Sequence, residues 1–271
     1  FNPSRMHIFT HLKESSQGVT GKGLYADGMV EHDGQVGELL KKLADRGLKD
    51  NTIVIYTSDN GAQKFSWPDA GVSPFRGEKA STWEGGVRVP LLISWPAKIK
   101  KGWVSNEIIS LEDMFPTLVA AAGDDSVKEK LLAGTQEGAK TFKVHLDGYN
   151  FLPLLTGQAE KGPRETFYYF VDDGTLGAMR YRDYKANFSV QKSDGFGSWL
   201  NSQTPERAPI LANLRSDPFE EAPKSGAFYE DYLIRHMWVF GVMKRKIAGY
   251  AQSYKDFPPR QTGGSFVPKQ Q

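Results

Sequence analysis

No cysteine occurs anywhere in this chain of 271 residues. Its absence excludes disulfide bonds, thiolate metal sites and a cysteine nucleophile within these residues. It fixes no compartment, because many exported proteins also lack disulfides. No apolar run is long enough to span a bilayer. No signal peptide is visible at the start, where Phe1-Asn2-Pro3 reads like the middle of a chain. Excess charge is also lacking: 34 basic against 32 acidic residues leave +2, too little to draw the chain to nucleic acid or to an anionic membrane. There is no internal repeat and no low-complexity tract. What is present is the composition of an ordinary globular protein, long enough for one large domain or for a large and a small one.

The chain is organised around Thr52-Ile-Val-Ile-Tyr-Thr-Ser-Asp-Asn-Gly-Ala62. A β-branched apolar run of this length predicts a buried strand. The abrupt polar turn that follows places Asp59 and Asn60 at the strand's carboxyl end, where open α/β sheets bind ligands. Two hard oxygen donors side by side suit Ca²⁺ or Mg²⁺. Asp-Asn-Gly is also common turn chemistry, so the local sequence alone leaves both readings open.

Taken in order, residues 1–23 read as loop, with His7 and His11 in it. Met29, Val36, Leu40 and Leu43 recur at helical spacing and Val30 and Leu39 widen the stripe, which predicts a helix from Tyr25 to Gly47 with Gly47 just past its end. Asp33 lies near that stripe and is expected to hydrogen-bond a neighbouring loop. After the strand at 52–57, a Gly- and Pro-rich loop runs from Asp59 to about Arg88. A structureless loop of that length in a compact domain is functional or disordered, and its aromatic residues argue against disorder. Val89–Trp95 is a second strand. Ser110 is placed to cap a helix from Leu111 to Ala122 that ends at Gly123. Residues 124–146 are charged and poorly periodic, and Tyr149–Leu155 is a short apolar segment ending at Gly157. From Pro163 the pattern changes to short aromatic and β-branched runs at 166–171, 176–181, 184–190 and 210–214, an antiparallel meander. A long amphipathic helix, 230–250, follows; its Arg and Lys residues argue against a membrane span. The tail from Phe257 reads as loop.

Several ordered motifs together resemble the sulfatases. They are Thr52–Gly61, Phe75-Arg-Gly-Glu-Lys-Ala-Ser-Thr-Trp-Glu-Gly-Gly-Val-Arg-Val-Pro90, Ile93-Ser-Trp-Pro96 and Glu112-Asp-Met-Phe-Pro-Thr117. Upstream, Arg5-Met-His7 and Tyr25–Asp33 are similar to bacterial arylsulfatases. The likeness is dense over 1–123 and looser through Asp147–Leu155. It implies an α/β fold: part of an alkaline-phosphatase-like mixed, mostly parallel sheet sandwiched by helices, then a small antiparallel α+β subdomain. On that reading residues 1–162 are the carboxy-terminal part of the catalytic domain, and 163–271 are the subdomain with its long helix and loop tail. The resemblance implies that Asp59 and Asn60 ligate a divalent cation, Ca²⁺ or else Mg²⁺, that Lys79 contacts the sulfate, and that His7 lies near the leaving-group oxygen. Its substrate class is a small-molecule sulfate ester. Bacterial sulfatases of this type are often periplasmic or secreted, although these residues leave the compartment open.

Physical chemistry supports each role. A sulfate ester needs positive charge about its oxygens, and a departing alkoxide or phenoxide benefits from a tunable acid such as histidine. Outside the motif, Lys79 would read as an ordinary exposed lysine and His7 as a plain loop residue. His11, His32, His145 and His236 read as structural or surface groups. Trp83 and Glu84 read as shaping the loop, and Arg76 as a salt bridge beneath it or a substrate contact.

One element of the family is not here. Sulfatases carry a formylglycine nucleophile made from Cys or Ser in a Cys/Ser-x-Pro-x-Arg motif. Phe1-Asn-Pro-Ser-Arg5 has the Pro and Arg spacing but a phenylalanine at the nucleophile position. Formylglycine, the other metal carboxylates and the first strands of the sheet are expected in a missing amino-terminal half, which would be this chain's structural partner. Alone, the chain is expected to be unstable and inactive, because half a sheet leaves an open edge and an uncovered apolar face. Two other readings stand beside this one: a phosphodiesterase or phosphonate monoester hydrolase of the same superfamily, and a truncated, non-catalytic chain.

Overall fold

The computed structural model describes residues 1–3, 6–8 and 10–260. Arg5, which completes the Pro-and-Arg spacing, and most of the expected loop tail, 261–271, lie outside the described residues.

After a loop come α1 (Leu24–Asp45), β1 (Val54–Thr57), α2 (Glu84–Val87) and β2 (Leu91–Ser94). Next are α3 (Met114–Ala121), α4 (Val127–Ala133), the small hairpin β3 (Thr135–Glu137) and β4 (Lys140–Phe142), and α5 (Leu152–Leu155). Strands β5 (Thr166–Phe170), β6 (Leu176–Tyr181) and β7 (Tyr184–Val190) follow, then α6 (Gly197–Leu200) and β8 (Thr204–Asn213). The described chain closes with α7 (Ala222–Ser225), α8 (Tyr229–Arg235) and α9 (Met237–Asp256). These elements pack as two compact units, residues 1–101 with 190–204, and residues 102–189 with 205–271.

In the first unit, α1 ends where its sequence says it should. Gly47 adopts φ 66°, its N–H reaches Ala44 O, and Leu48 N–H reaches Leu43 O. That is the glycine-terminated motif that satisfies the last carbonyls of a helix. The expected apolar stripe is not the buried face. Met29, Val30, Leu39 and Leu40 are all exposed, whereas Asp27, Gly28, Glu31 and His32 are buried. The carboxylate that ties the helix to a loop is Asp27 rather than Asp33, which is exposed. Asp27 accepts bonds from Gly18 N (2.6 Å), Thr20 N (2.8 Å) and Thr20 Oγ1 (2.7 Å), and the Thr20 hydroxyl and amide hold its carboxyl below the ordinary aspartate value.

β1 pairs with β2, antiparallel, from Val54 opposite Ser94 to Thr57 opposite Leu91. No third strand joins them among the described residues. β1 is therefore only half-buried, not buried as its composition predicts, with Tyr56 and Leu92 exposed. One contact to α1 is polar: His32 Nε2 lies 3.2 Å from the Tyr56 hydroxyl.

The second unit holds a four-stranded sheet in the order β5-β6-β7-β8, with β5–β6 and β6–β7 antiparallel as the meander requires. Met179, Ala186 and Leu211 from the sheet and Val239 and Met243 from α9 form its fully buried core. The single long helix expected at 230–250 is two. His236 Nδ1 comes within 2.7 Å of Tyr232 O, and the backbone at His236 leaves helical geometry (φ −106°, ψ 12°) between α8 and α9. Ser110 does cap the turn leading into α3, through a reciprocal capping box with Asp113. Gly123, at φ 106°, closes that helix. No described helix is long and apolar enough to cross a membrane.

Candidate active site

The site is assembled in the first unit from the β1 carboxyl end and the loop after it. Ser58 Oγ donates to Asn60 O (3.2 Å), and Asn60 Nδ2 donates to Gly61 O (2.8 Å). With its amide nitrogen so engaged, Asn60 presents Oδ1, a lone-pair oxygen that can accept a hydrogen bond or ligate a cation. The Asp59 side chain next to it is exposed.

Glycine lets the loop close over this turn. Gly61 N–H donates to Gly86 O (2.9 Å), and Gly85 N–H to Arg76 O (2.6 Å). A Cβ at Gly61 would lie 1.9 Å from Gly85 O, a backbone atom with little room to yield. We expect Gly61→Ala to destabilise the intact protein by about 1–3 kcal/mol, the usual cost of overpacking. A denaturant midpoint that stays at the wild-type value would show that the loop can open there.

Lys79 is held at the same place through its backbone, because its N–H donates to Ala62 O (3.0 Å), two residues after Asn60. The buried neighbour Glu78 anchors the loop: Oε2 accepts Lys64 N–H (2.8 Å) and Oε1 accepts Gly195 N–H (2.7 Å). Lys79 Nζ sits 4.7 Å from the centre of the Trp199 ring. Arg76 stacks its guanidinium 3.7 Å from the centre of the buried Trp83 ring. Trp83 and Glu84, both buried, belong to the loop's scaffold.

The structure thus places Lys79 and the Asp59–Asn60 turn in one backbone network. It does not tie His7 to them. His7 is exposed, its carbonyl accepts the Thr10 hydroxyl (2.6 Å), and no hydrogen bond or ion pair joins its ring to Asp59, Asn60 or Lys79 among the described residues. Nor is there a group of three or more His, Cys, Asp or Glu able to hold a metal ion among the described residues. Of the remaining histidines, His32 faces Tyr56, His145 Nδ1 pairs with Asp147 (3.2 Å) and His236 breaks a helix, all structural roles. Sequence reasoning missed Glu78 and Trp199. A glutamate beside the motif lysine was in view, but nothing local signals its partner at Gly195.

By its fold this is an α/β protein of the alkaline-phosphatase-like superfamily. The crystal structure of a sulfatase from Pseudoalteromonas sp. superposes with a TM-score of 0.76 at 30% identity, over 96% of this chain and 49% of that one. Residues 10–124 match the family model described as Sulfatase. Arylsulfatase A of Homo sapiens is 35% identical over 213 residues, 74% of this chain and 39% of that protein. N-acetylgalactosamine-6-sulfatase of Homo sapiens is 32% identical over 249 residues, 84% of this chain and 44% of that protein. The chain belongs to the sulfatase family, and it spans less than half the length of each of these relatives.

Proposed function

We propose that this chain is the carboxy-terminal portion of a metal-dependent sulfuric ester hydrolase of the arylsulfatase type. The observation that carries the reading is the bond from Lys79 N–H to Ala62 O, which fixes a motif lysine beside an Asp-Asn turn within the family-matched residues. Asp59 and Asn60 fit a hard cation by donor chemistry, and Ca²⁺ is the first choice, with Mg²⁺ the second. Two side chains fall short of the six to eight oxygens Ca²⁺ takes, so the other ligands come from the remainder of the intact protein. When bound, the cation supplies positive charge at the sulfate oxygens. Lys79 adds its ammonium to the same oxygens as charge spreads over them, and His7 donates a proton to the departing alcohol oxygen. The formylglycine nucleophile lies outside this chain.

In the intact protein, Lys79→Ala is expected to lower kcat/KM for sulfate esters about 10²–10³-fold, the usual loss for one preorganised charge-stabilising group. Sulfate release at the wild-type rate would refute the assignment. Asp59→Ala is expected to weaken Ca²⁺ binding measured by calorimetry.

The exposed face of α1 supports a second part of the reading, that the rest of the sulfatase chain covers Met29, Val30, Leu39 and Leu40. Expressed alone, residues 1–271 should aggregate or bind the added amino-terminal half, and should release no sulfate. A soluble monomer with a single cooperative unfolding transition would count against it.

A further inference from the structure

The motif lysine sits in a turn held more firmly than the closing of a loop requires. Ser81 N–H donates to Glu78 O (3.1 Å), which closes a turn with Lys79 and Ala80 at its centre. Ser81 Oγ donates to the same carbonyl (2.6 Å), and Glu78 N–H reaches back to Ser81 Oγ (3.3 Å). Ala80 takes φ 72°, the left-handed region in which a residue with a Cβ is strained and glycine is not. An alanine keeps that conformation only where its surroundings over-determine it.

The Glu78 side chain supplies much of that determination. Its carboxylate is 2% exposed and gives one oxygen to Lys64 N–H and the other to Gly195 N–H. Bonds from amides to an ionised carboxylate are stronger than neutral ones, and burial keeps water from competing for them. Both amides are themselves fixed. Lys64 opens a short 3₁₀ turn, and Trp67 N–H donates to Lys64 O (2.8 Å). Gly195 O accepts Ser198 N–H (3.1 Å) and Ser198 Oγ (2.8 Å), and Gln191 Nε2 ties the same segment together through Ser198 O (3.1 Å) and Asn201 O (2.7 Å). Lys79 N–H is spent on Ala62 O. The lysine backbone is thus gripped before, at and after its own Cα, and the reach of its ammonium is set by the side chain alone. A turn that had only to join two ends of a loop would let Ala80 relax.

We infer that Glu78 is a positioning residue for Lys79: through the Lys64 and Gly195 amides it holds the strained Lys79-Ala80 turn and so aims the ammonium at the sulfate oxygens. The inference rests on the sulfatase reading above.

The test uses the intact enzyme and nitrophenyl sulfate, and compares wild type, Glu78→Gln, Lys79→Ala and the double variant. Glutamine keeps the length of the side chain but turns one acceptor oxygen into an amide donor, which then faces an N–H. Glu78→Gln is expected to lower kcat about tenfold while KM changes less than about threefold. In the Lys79→Ala background the same substitution is expected to change kcat less than about twofold, because the group it aims is gone. A role confined to stability would lower the folded fraction and cut turnover by the same factor in both backgrounds. That outcome, or an unchanged kcat in Glu78→Gln, would overturn the inference and spare the sulfatase reading, provided that Lys79→Ala still lowers turnover. Unchanged turnover in Lys79→Ala would overturn both. Should Glu78→Gln fail to fold by circular dichroism, Lys64→Pro carries the same comparison, since it deletes one of the two amide donors at the first position of a helical turn, where proline is tolerated. A kcat loss that vanishes with Lys79→Ala supports the inference, and no loss, or an equal loss in both backgrounds, overturns it.

Discussion

Replacing Arg164 with leucine is expected to cost the intact protein about 3–5 kcal/mol of stability, because it strands a buried carboxylate. Arg164 lies in the second unit and is almost wholly buried, as is Asp113. Arg164 Nη2 meets Asp113 Oδ1 at 2.5 Å and Nε meets Oδ2 at 2.9 Å, a two-pronged pair, and Nη2 also reaches Glu112 Oε1 at 2.6 Å. Asp113 further accepts Ser110 N–H (2.8 Å) and Tyr149 N–H (2.7 Å), so one carboxylate joins the start of α3, the 147–151 segment and the approach to β5. Without the guanidinium, Asp113 stays buried but loses its cation. The denaturant midpoint, followed by tryptophan fluorescence, should fall sharply, and a loss under about 1 kcal/mol would show that the pair is no hub.

Glu112 should behave differently. Burial pushes its carboxyl above the ordinary glutamate value, with Arg164 pulling the other way. Held protonated more readily in the fold than in the unfolded chain, Glu112 lends stability that is complete below its ordinary pKa and is lost as pH rises through the raised one. Glu112→Gln should therefore remove part of the decline in stability over that window and cost little at neutral pH. A steeper decline than wild type would contradict this.

The second large effect is expected at Lys185, also in the second unit. Lys185 and Glu220 are both fully buried, with Nζ 3.2 Å from Oε1, and the Lys185 ammonium lies 4.8 Å from the Tyr169 ring centre. Asn187 Nδ2 adds a longer contact to the same oxygen (3.4 Å). Lys185→Met should cost about 3–5 kcal/mol, since it removes the cation paired with the buried Glu220 carboxyl. The double variant Lys185→Met with Glu220→Gln removes both charges and keeps an acceptor for Asn187. It should regain at least half of the loss, because a buried pair contributes little over a neutral replacement. If the double variant is worse than the single one, the pair is a net source of stability.

How much of this was legible depended on distance along the chain. The Gly47 and Gly123 helix ends, the Ser110 cap and strands β6 and β7 were written in local residue types, and the structure has them at those places. The hairpin at 135–142 and the turn of helix at 197–200 were not, because each is too short to show a period. The α1 stripe had the right spacing, but spacing cannot say which face a neighbour covers, and here the buried face is the polar one. The break at His236 escaped because a change of backbone angles at a single residue leaves the hydrophobic pattern untouched. For the site, the motif residues were visible as a set. What holds them was not: the partner of Glu78 lies 117 residues away, and no window of local sequence contains both.

That separation also sets a clock. A ribosome adding about 5–20 residues per second needs roughly 6–23 s to travel from Glu78 to Gly195. Throughout that interval the nascent chain carries its lysine without the clamp that aims it, and the Glu78 carboxylate has one of its two amide partners. The lysine loop is therefore completed late in synthesis, and translation that pauses between these codons prolongs the time in which Lys79 is present but not yet placed.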